Sequence, residues 1–124
     1  MTLILFVDDD PMALHLMEKA SQLLGYRPLI CESPIRAISK AAEEQPDVIV
    51  VDFNMHEMSG VALIRALRNQ KATSRIPIIV LSATDADQGI SPSTAAGANS
   101  YLSKPVDFDD LSAAIDRVLM AQKQ

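Results

Sequence analysis

Leu3-Ile4-Leu5-Phe6-Val7-Asp8-Asp9-Asp10-Pro11 is the stretch that decides how this chain reads. Its five bulky apolar residues run without a polar interruption, so both faces of the extended segment need cover. That is the pattern of a strand inside a parallel sheet rather than of one with a solvated face. Three aspartates then stop the run, and Asp10-Pro11 has the order of a helix N-cap followed by proline in the first turn. A buried strand that ends in carboxylates and feeds a helix is the unit to look for elsewhere.

It recurs. Apolar runs at Val48–Val51 and Ile76–Leu81, a weaker one at Pro28–Cys31 and a short one at Ser100–Leu102 predict four more strands. In the first intervening segment Ala13, Leu16, Met17, Ala20, Leu23 and Leu24 form a helical apolar stripe, and Gly25 suits its stop. Ser33-Pro34 opens a second helix carrying Ile35, Ile38, Ala41 and Ala42, which ends ahead of Pro46. A third helix starts near Ser59 and uses Leu63, Ile64 and Leu67. The last uses Phe108, Leu111, Ile115 and Val118, with Asp107 as its cap. Asp85–Gly97 contains Gly89, Pro92 and several hydroxyl residues, so at most a short helix is expected there, starting near Ser91–Pro92. Strand and helix alternate throughout, which calls for right-handed crossovers and one α/β domain over residues 1–124: a doubly wound, five-stranded parallel sheet with helices on both faces.

Composition agrees and narrows the function. The 124 residues are 48% hydrophobic and carry 11 basic against 16 acidic side chains, a formal charge of −5. A pI near 4.8 disfavours nucleic acid as a direct partner, because that affinity rests on Lys and Arg neutralising phosphates. The single cysteine, Cys31, can form no internal disulfide, and no Cys/His set has zinc spacing. No apolar run approaches the roughly 18 residues of a membrane span, and Met1–Val7 has no basic n-region, so the expectation is a cytoplasmic protein without a membrane segment.

The polar residues fall at strand ends: Asp8 and Asp9 after the first strand, Asp52 after the third, Ser82 after the fourth and Lys104 after the fifth. Open α/β sheets bind ligands at the carboxyl ends of their strands, where the winding reverses. With strand order 2-1-3-4-5 that point lies between strands one and three. Carboxylates converging there repel one another unless a cation compensates them. An oxygen-only set points to Mg²⁺ or a similar hard ion, which keeps waters and recruits phosphate oxygens; Lys and Ser supply the charge and hydrogen bond that those oxygens accept. A carboxylate can itself receive a phosphoryl group as an acyl phosphate.

Val7-Asp8-Asp9-Asp10-Pro11, Val50-Val51-Asp52-Phe53-Asn54-Met55, Met58-Ser59-Gly60, Val80-Leu81-Ser82-Ala83 and Gly97-Ala98-Asn99-Ser100-Tyr101-Leu102-Ser103-Lys104-Pro105, in this order and spacing, resemble the response-regulator receiver domain of two-component signalling, over essentially the whole chain. The resemblance implies a flavodoxin-like fold and a regulatory phospho-acceptor rather than an enzyme, one that assists its own phosphorylation and dephosphorylation. It implies that Asp52 takes the phosphoryl group from a histidine kinase or histidine phosphotransfer protein. Asp9 and Asp52 would bind Mg²⁺ directly, the backbone carbonyl of Asn54 would complete the protein ligands, and Asp8 would act mainly through a water. Lys104 would pair with Asp52 at rest and with a phosphate oxygen afterwards. Ser82 and Tyr101 would form the switch, changing the strand 4/helix 4/strand 5/helix 5 face that a downstream protein reads. With no effector segment recognised, that target would be a separate protein.

Some residues depart from the family or have plainer readings. The family often has proline where His56 stands and aspartate where Ser59 stands. Asn54 and Thr84 are neutral and only moderately bulky, so hydrolysis of an acyl phosphate should be neither extremely fast nor blocked. Asp10 reads as a cap, His15 and His56 as lone histidines, Cys31 as a small buried residue, and Arg65, Arg68, Lys71 and Arg75 as a solvated basic face. Two rival functions stand beside the main one: a receiver-fold scaffold that works without phosphorylation, and a phosphatase of the haloacid-dehalogenase type using the Asp-x-Asp of Asp8 and Asp10, which leaves Asp52 without a task.

Overall fold

β1 (Leu3–Val7), β2 (Arg27–Cys31), β3 (Val48–Asp52), β4 (Ile78–Ser82) and β5 (Ser100–Ser103) form one parallel sheet in the order β2-β1-β3-β4-β5. The computed structural model describes residues 1–83 and 93–122. Among them the connecting helices are α1 (Pro11–Leu23), α2 (Pro34–Glu44), α3 (Gly60–Asn69), helical residues 93–96 (α4) and α5 (Phe108–Gln122). The expected start of α4 near Ser91–Pro92, and Thr84, lie outside the described residues. No helix among those described is long and apolar enough to cross a membrane.

The three inner strands β1, β3 and β4 are buried on both faces, as their unbroken apolar runs require, while the edge strands β2 and β5 are partly exposed. Leu5, Val7, Ile49, Val51, Ile78 and Val80 pack with Ala37 and Ala41 of α2 and Leu63, Ile64 and Leu67 of α3. Their neighbours Ile4, Phe6, Val48, Val50, Ile79 and Leu81 turn the other way, onto Leu14 and Met17 of α1 and Leu111, Ile115 and Val118 of α5. Helix starts are set by short polar side chains. Asp10 Oδ1 accepts the Met12 N–H, Ser33 Oγ the Arg36 N–H, Ser59 Oγ the Ala62 N–H, and Asp107 Oδ1 the N–H groups of Asp109 and Asp110. Gly25, at φ +87°, follows the Leu24 cap of α1.

Four expectations need correction. The buried side of α1 is Leu14, Met17, Ala20 and Ser21, while Leu16 and Leu23 are 57% and 89% exposed. Apolar residues cover more than half of this helix's circumference, so periodicity alone leaves its rotation open; packing on Phe6 and Leu111 settles it. Ile35, read as core, is 53% exposed for a similar reason: small Ala37 and Ala41 let α2 lie close on the sheet, and Ile35 falls outside that face. Ile76 is buried but precedes β4, because its carbonyl is taken by Arg68.

Arg68 is itself the fourth correction, since it is not part of a solvated face. Its guanidinium is half-buried and donates to the carbonyls of Thr73 (3.3 Å), Ser74 (3.2 Å), Ile76 (2.7 Å) and Gly97 (3.0 and 3.1 Å) and to Asn99 Oδ1 (2.9 Å). Burial pushes its pKa below the ordinary arginine value. Asn99 Oδ1 also accepts the Ile78 N–H, so one planar fork ties the end of α3, the entry to β4 and the turn into β5. Gly97 makes room for it: φ is +118°, and a Cβ there would lie 2.9 Å from Arg68 Cγ.

Arg68→Met should therefore cost on the order of 3 kcal/mol in urea unfolding, since several carbonyls lose their donor together. Arg68→Lys should recover less than half of it, because an ammonium cannot span the same acceptors.

Candidate functional site

β1 sits between β2 and β3, and the chain passes from β1 to β2 on one side before returning to β3 on the other. The resulting crevice lies at the carboxyl ends of β1 and β3. Val7 pairs with Val51 across it, so the next residues, Asp8 and Asp52, meet at the rim. Both are buried, whereas Asp9 is partly exposed. One carboxylate oxygen from each of Asp8, Asp9 and Asp52 falls within 4.8 Å of the others. Lys104, just past β5, reaches back to them: Nζ is 2.8 Å from Asp52 Oδ1 and 3.6 Å from Asp8 Oδ2.

Backbone bonds fix these positions. The Asp8 N–H donates to the Cys31 carbonyl, Phe53 N–H to that of Leu81, and Lys104 N–H to that of Ser82. Asp10 N–H donates to Asp8 Oδ1 at 3.0 Å. Behind Asp52 the first turn of α3 presses on the strand end, where a Cβ at Gly60 would come within 2.7 Å of the Asp52 carbonyl oxygen. Only glycine permits that approach, a packing reason for the Ser59-Gly60 pair.

The electrostatics are one-sided. Burial raises the Asp52 pKa, the hydrogen bond from Lys104 opposes that, and the charges of Asp8 and Asp9 raise it further. The net shift is upward. For Lys104 burial pulls downward, but the hydrogen bond and charge of Asp52, with Asp8, outweigh it and raise the pKa. The directions are consistent: one ammonium shared between carboxylates is stabilised, while a carboxylate that shares it with other carboxylates is still under-compensated. The site has room in its charge balance for a cation, and its all-oxygen donor set fits a hard divalent ion such as Mg²⁺.

Asp8, Asp9, Asp52 and Lys104 are thus brought together as the sequence reading expected. Ser82 is fully buried at the end of β4 and meets Lys104 through its carbonyl. Tyr101, opposite Val80 on β5, packs half-buried against the α2/α3 side of the core. Asn54 lies exposed in the loop after β3. Asp10 spends its side chain on capping α1. One participant was not foreseen: the backbone N–H of His56 donates to Asp9 Oδ2 at 2.8 Å. A main-chain donor leaves no mark in the sequence, so nothing there could have announced it.

The response regulator receiver domain family matches residues 4–116. Transcriptional regulatory protein KdpE of Mycobacterium tuberculosis is 34% identical over 116 residues, 93% of this chain and 50% of that protein. Protein PilH of Pseudomonas aeruginosa is 32% identical over 119 residues, 96% of this chain and 98% of that one. Among solved structures, the receiver domain of sensor histidine kinase PA1611 from P. aeruginosa, with a magnesium ion coordinated in its active-site cleft, superposes with TM-score 0.87 at 32% identity, covering 96% of this chain and 98% of that one. The chain belongs to the response regulator receiver family and is a regulatory phospho-acceptor module of two-component signalling. It spans about half the length of the KdpE relatives it matches.

A raised Asp52 pKa means that the native state binds its proton more tightly than the unfolded chain does. Above the raised value the Asp52 charge destabilises the fold; the effect is relieved as pH falls and is gone below the ordinary aspartate value of 3.8. Without divalent cations, Asp52→Asn should therefore be more stable than wild type by about 1 kcal/mol near pH 7, with Lys104 keeping Asp8 as partner. Urea unfolding at descending pH should show the two curves converge.

Proposed function

We propose that Asp52 accepts a phosphoryl group from a phosphohistidine on a histidine kinase or histidine phosphotransfer protein, and that the phosphorylated state is read by protein contact. The observation that carries this reading is the Asp52 carboxylate held 2.8 Å from Lys104 Nζ beside two further carboxylates, in a chain of the receiver family. An Asp52 oxygen attacks phosphorus in line with the P–N bond. That bond breaks with its electron pair on nitrogen, the imidazole leaves neutral when its other nitrogen carries a proton, and an acyl phosphate forms.

Asp8, Asp9 and Asp52, with the Asn54 backbone carbonyl, would hold Mg²⁺, whose contribution is to neutralise charge on the phosphoryl oxygens. Lys104 holds Asp52 in place at rest. Once that carboxylate is an acyl phosphate its charge lies on the phosphoryl oxygens, and the ammonium follows it there. The buried Ser82 hydroxyl turns to a second phosphoryl oxygen, and Tyr101 moves inward with it. These contacts exist in only one arrangement of β4, α4, β5 and α5, so phosphorylation selects that arrangement, and a protein partner senses the altered face. Water reverses the modification, Asn54 offering no charge and little bulk against it. A cytoplasmic location suits such a donor and target.

Incubating the whole chain with Mg²⁺ and acetyl phosphate or a phosphorylated histidine phosphotransfer protein should add one phosphoryl group by intact-mass spectrometry, and Asp52→Asn should add none. An adduct that survives Asp52→Asn but not Asp8→Asn would favour the phosphatase chemistry, and no adduct from either donor would leave the scaffold. The wild-type adduct should decay in Mg²⁺ buffer well within hours.

A further inference from the structure

The two ion pairs of Lys104 go to Asp8 and Asp52. Asp9, the more exposed member of the acidic set, is held instead by the His56 amide, at 2.8 Å from Oδ2. That amide sits on an anchored loop. Beside it, Glu57 Oε1 accepts the Ser33 hydroxyl at 2.8 Å, and Ser33 Oγ accepts the first-turn Arg36 N–H of α2. On its far side the loop ends at Gly60, whose N–H donates to the Phe53 carbonyl and whose Cα faces the Asp52 backbone. The donor is therefore fixed from both ends, by α2 and by β3.

We propose that the backbone amide of His56 is a positioning donor that holds the Asp9 carboxylate in an orientation suited to sharing a divalent cation with Asp8 and Asp52, and so tightens cation binding in this chain. This rests on the acidic set being a cation site. A carboxylate offers two oxygens and about four lone pairs, so one N–H on Oδ2 fixes its plane and leaves acceptor capacity for an ion. Carboxylate ligands held by an outer hydrogen bond bind metal more tightly, because the bond removes the freedom that binding would otherwise have to quench; losing such a bond costs about 10–100-fold in affinity. The imidazole plays no part, so any residue with a main-chain N–H supplies this donor; proline, which the family often has at this position, does not, so the bond strengthens the cation site of this chain rather than being a condition for one.

The test is Mg²⁺ titration of the full chain, followed by calorimetry, with metal-free stability measured alongside. His56→Pro should bind Mg²⁺ about tenfold more weakly than His56→Ala, which keeps the N–H. In an Asp9→Ala background the same pair should bind alike, since the amide then has no carboxylate to position. Amide exchange needs no proline variant and no metal: the His56 N–H should be protected in the wild-type chain and lose that protection in Asp9→Ala. Equal affinities for His56→Pro and His56→Ala, an undiminished difference in Asp9→Ala, or His56 exchange indifferent to Asp9→Ala would each overturn the proposal. Wild type that binds no Mg²⁺ would instead bring down the cation-site reading beneath it.

Discussion

Three carboxylates and one ammonium share the carboxyl rim of β1, β3 and β5, and the rest of the molecule is arranged around keeping them there. Like charges taken out of water at such spacing repel each other and lose hydration. A chain with freedom to relax would splay them apart. This one cannot, because Asp8 and Asp52 are the next residues after paired, fully buried strand positions, and moving either means breaking the ladder between β1 and β3. The core's hydrophobic burial thus supplies the restraint that the charges oppose. Lys104 relieves only part of the opposition, as the upward shift of Asp52 records.

A strained charge cluster is useful where a reaction changes the charge. In the proposed transfer, moving the Asp52 charge onto phosphoryl oxygens would alter the Lys104–Asp52 pair, and Ser82 lies one strand away. The same cluster without a transfer reaction would be a plain loss of stability, which helical caps such as Asp10 do not incur because they stay exposed at a helix start. This contrast separates Asp8, Asp9 and Asp52 from their neighbour Asp10, although all four are aspartates after apolar runs.

What the sequence disclosed, and what it hid, follows one physical line. Unbroken runs such as Val48–Val51 declare a buried strand, and a polar residue ending one is placed at the rim by connectivity alone; hence Asp8, Asp9, Asp52, Ser82 and Lys104 were legible. Caps were legible too, since Asp10, Ser33, Ser59 and Asp107 act within three residues of themselves. The rotation of α1 was not, because it is chosen by distant Phe6 and Leu111 among several apolar residues that all satisfy the period. Arg68 was misread because its acceptors are mostly main-chain carbonyls, from the stretch before β4 and from Gly97, and carbonyls look the same under every side chain. The His56 amide on Asp9 was invisible for the mirror-image reason.

Those two backbone-mediated interactions bound the sheet at opposite ends. At the amino ends of β4 and β5, Arg68 and Asn99 join Ile76, Ile78 and Gly97 in a network whose members share donors and acceptors, so none moves alone. At the carboxyl ends, the Lys104 N–H donates to the Ser82 carbonyl, beside charges that the proposed phosphorylation would rearrange. Tyr101 lies between these two regions, half-buried on β5 opposite Val80. With the amino ends of β4 and β5 tied down by Arg68, a change of charge at Asp52 would act on their carboxyl ends, where the proposed readout face begins.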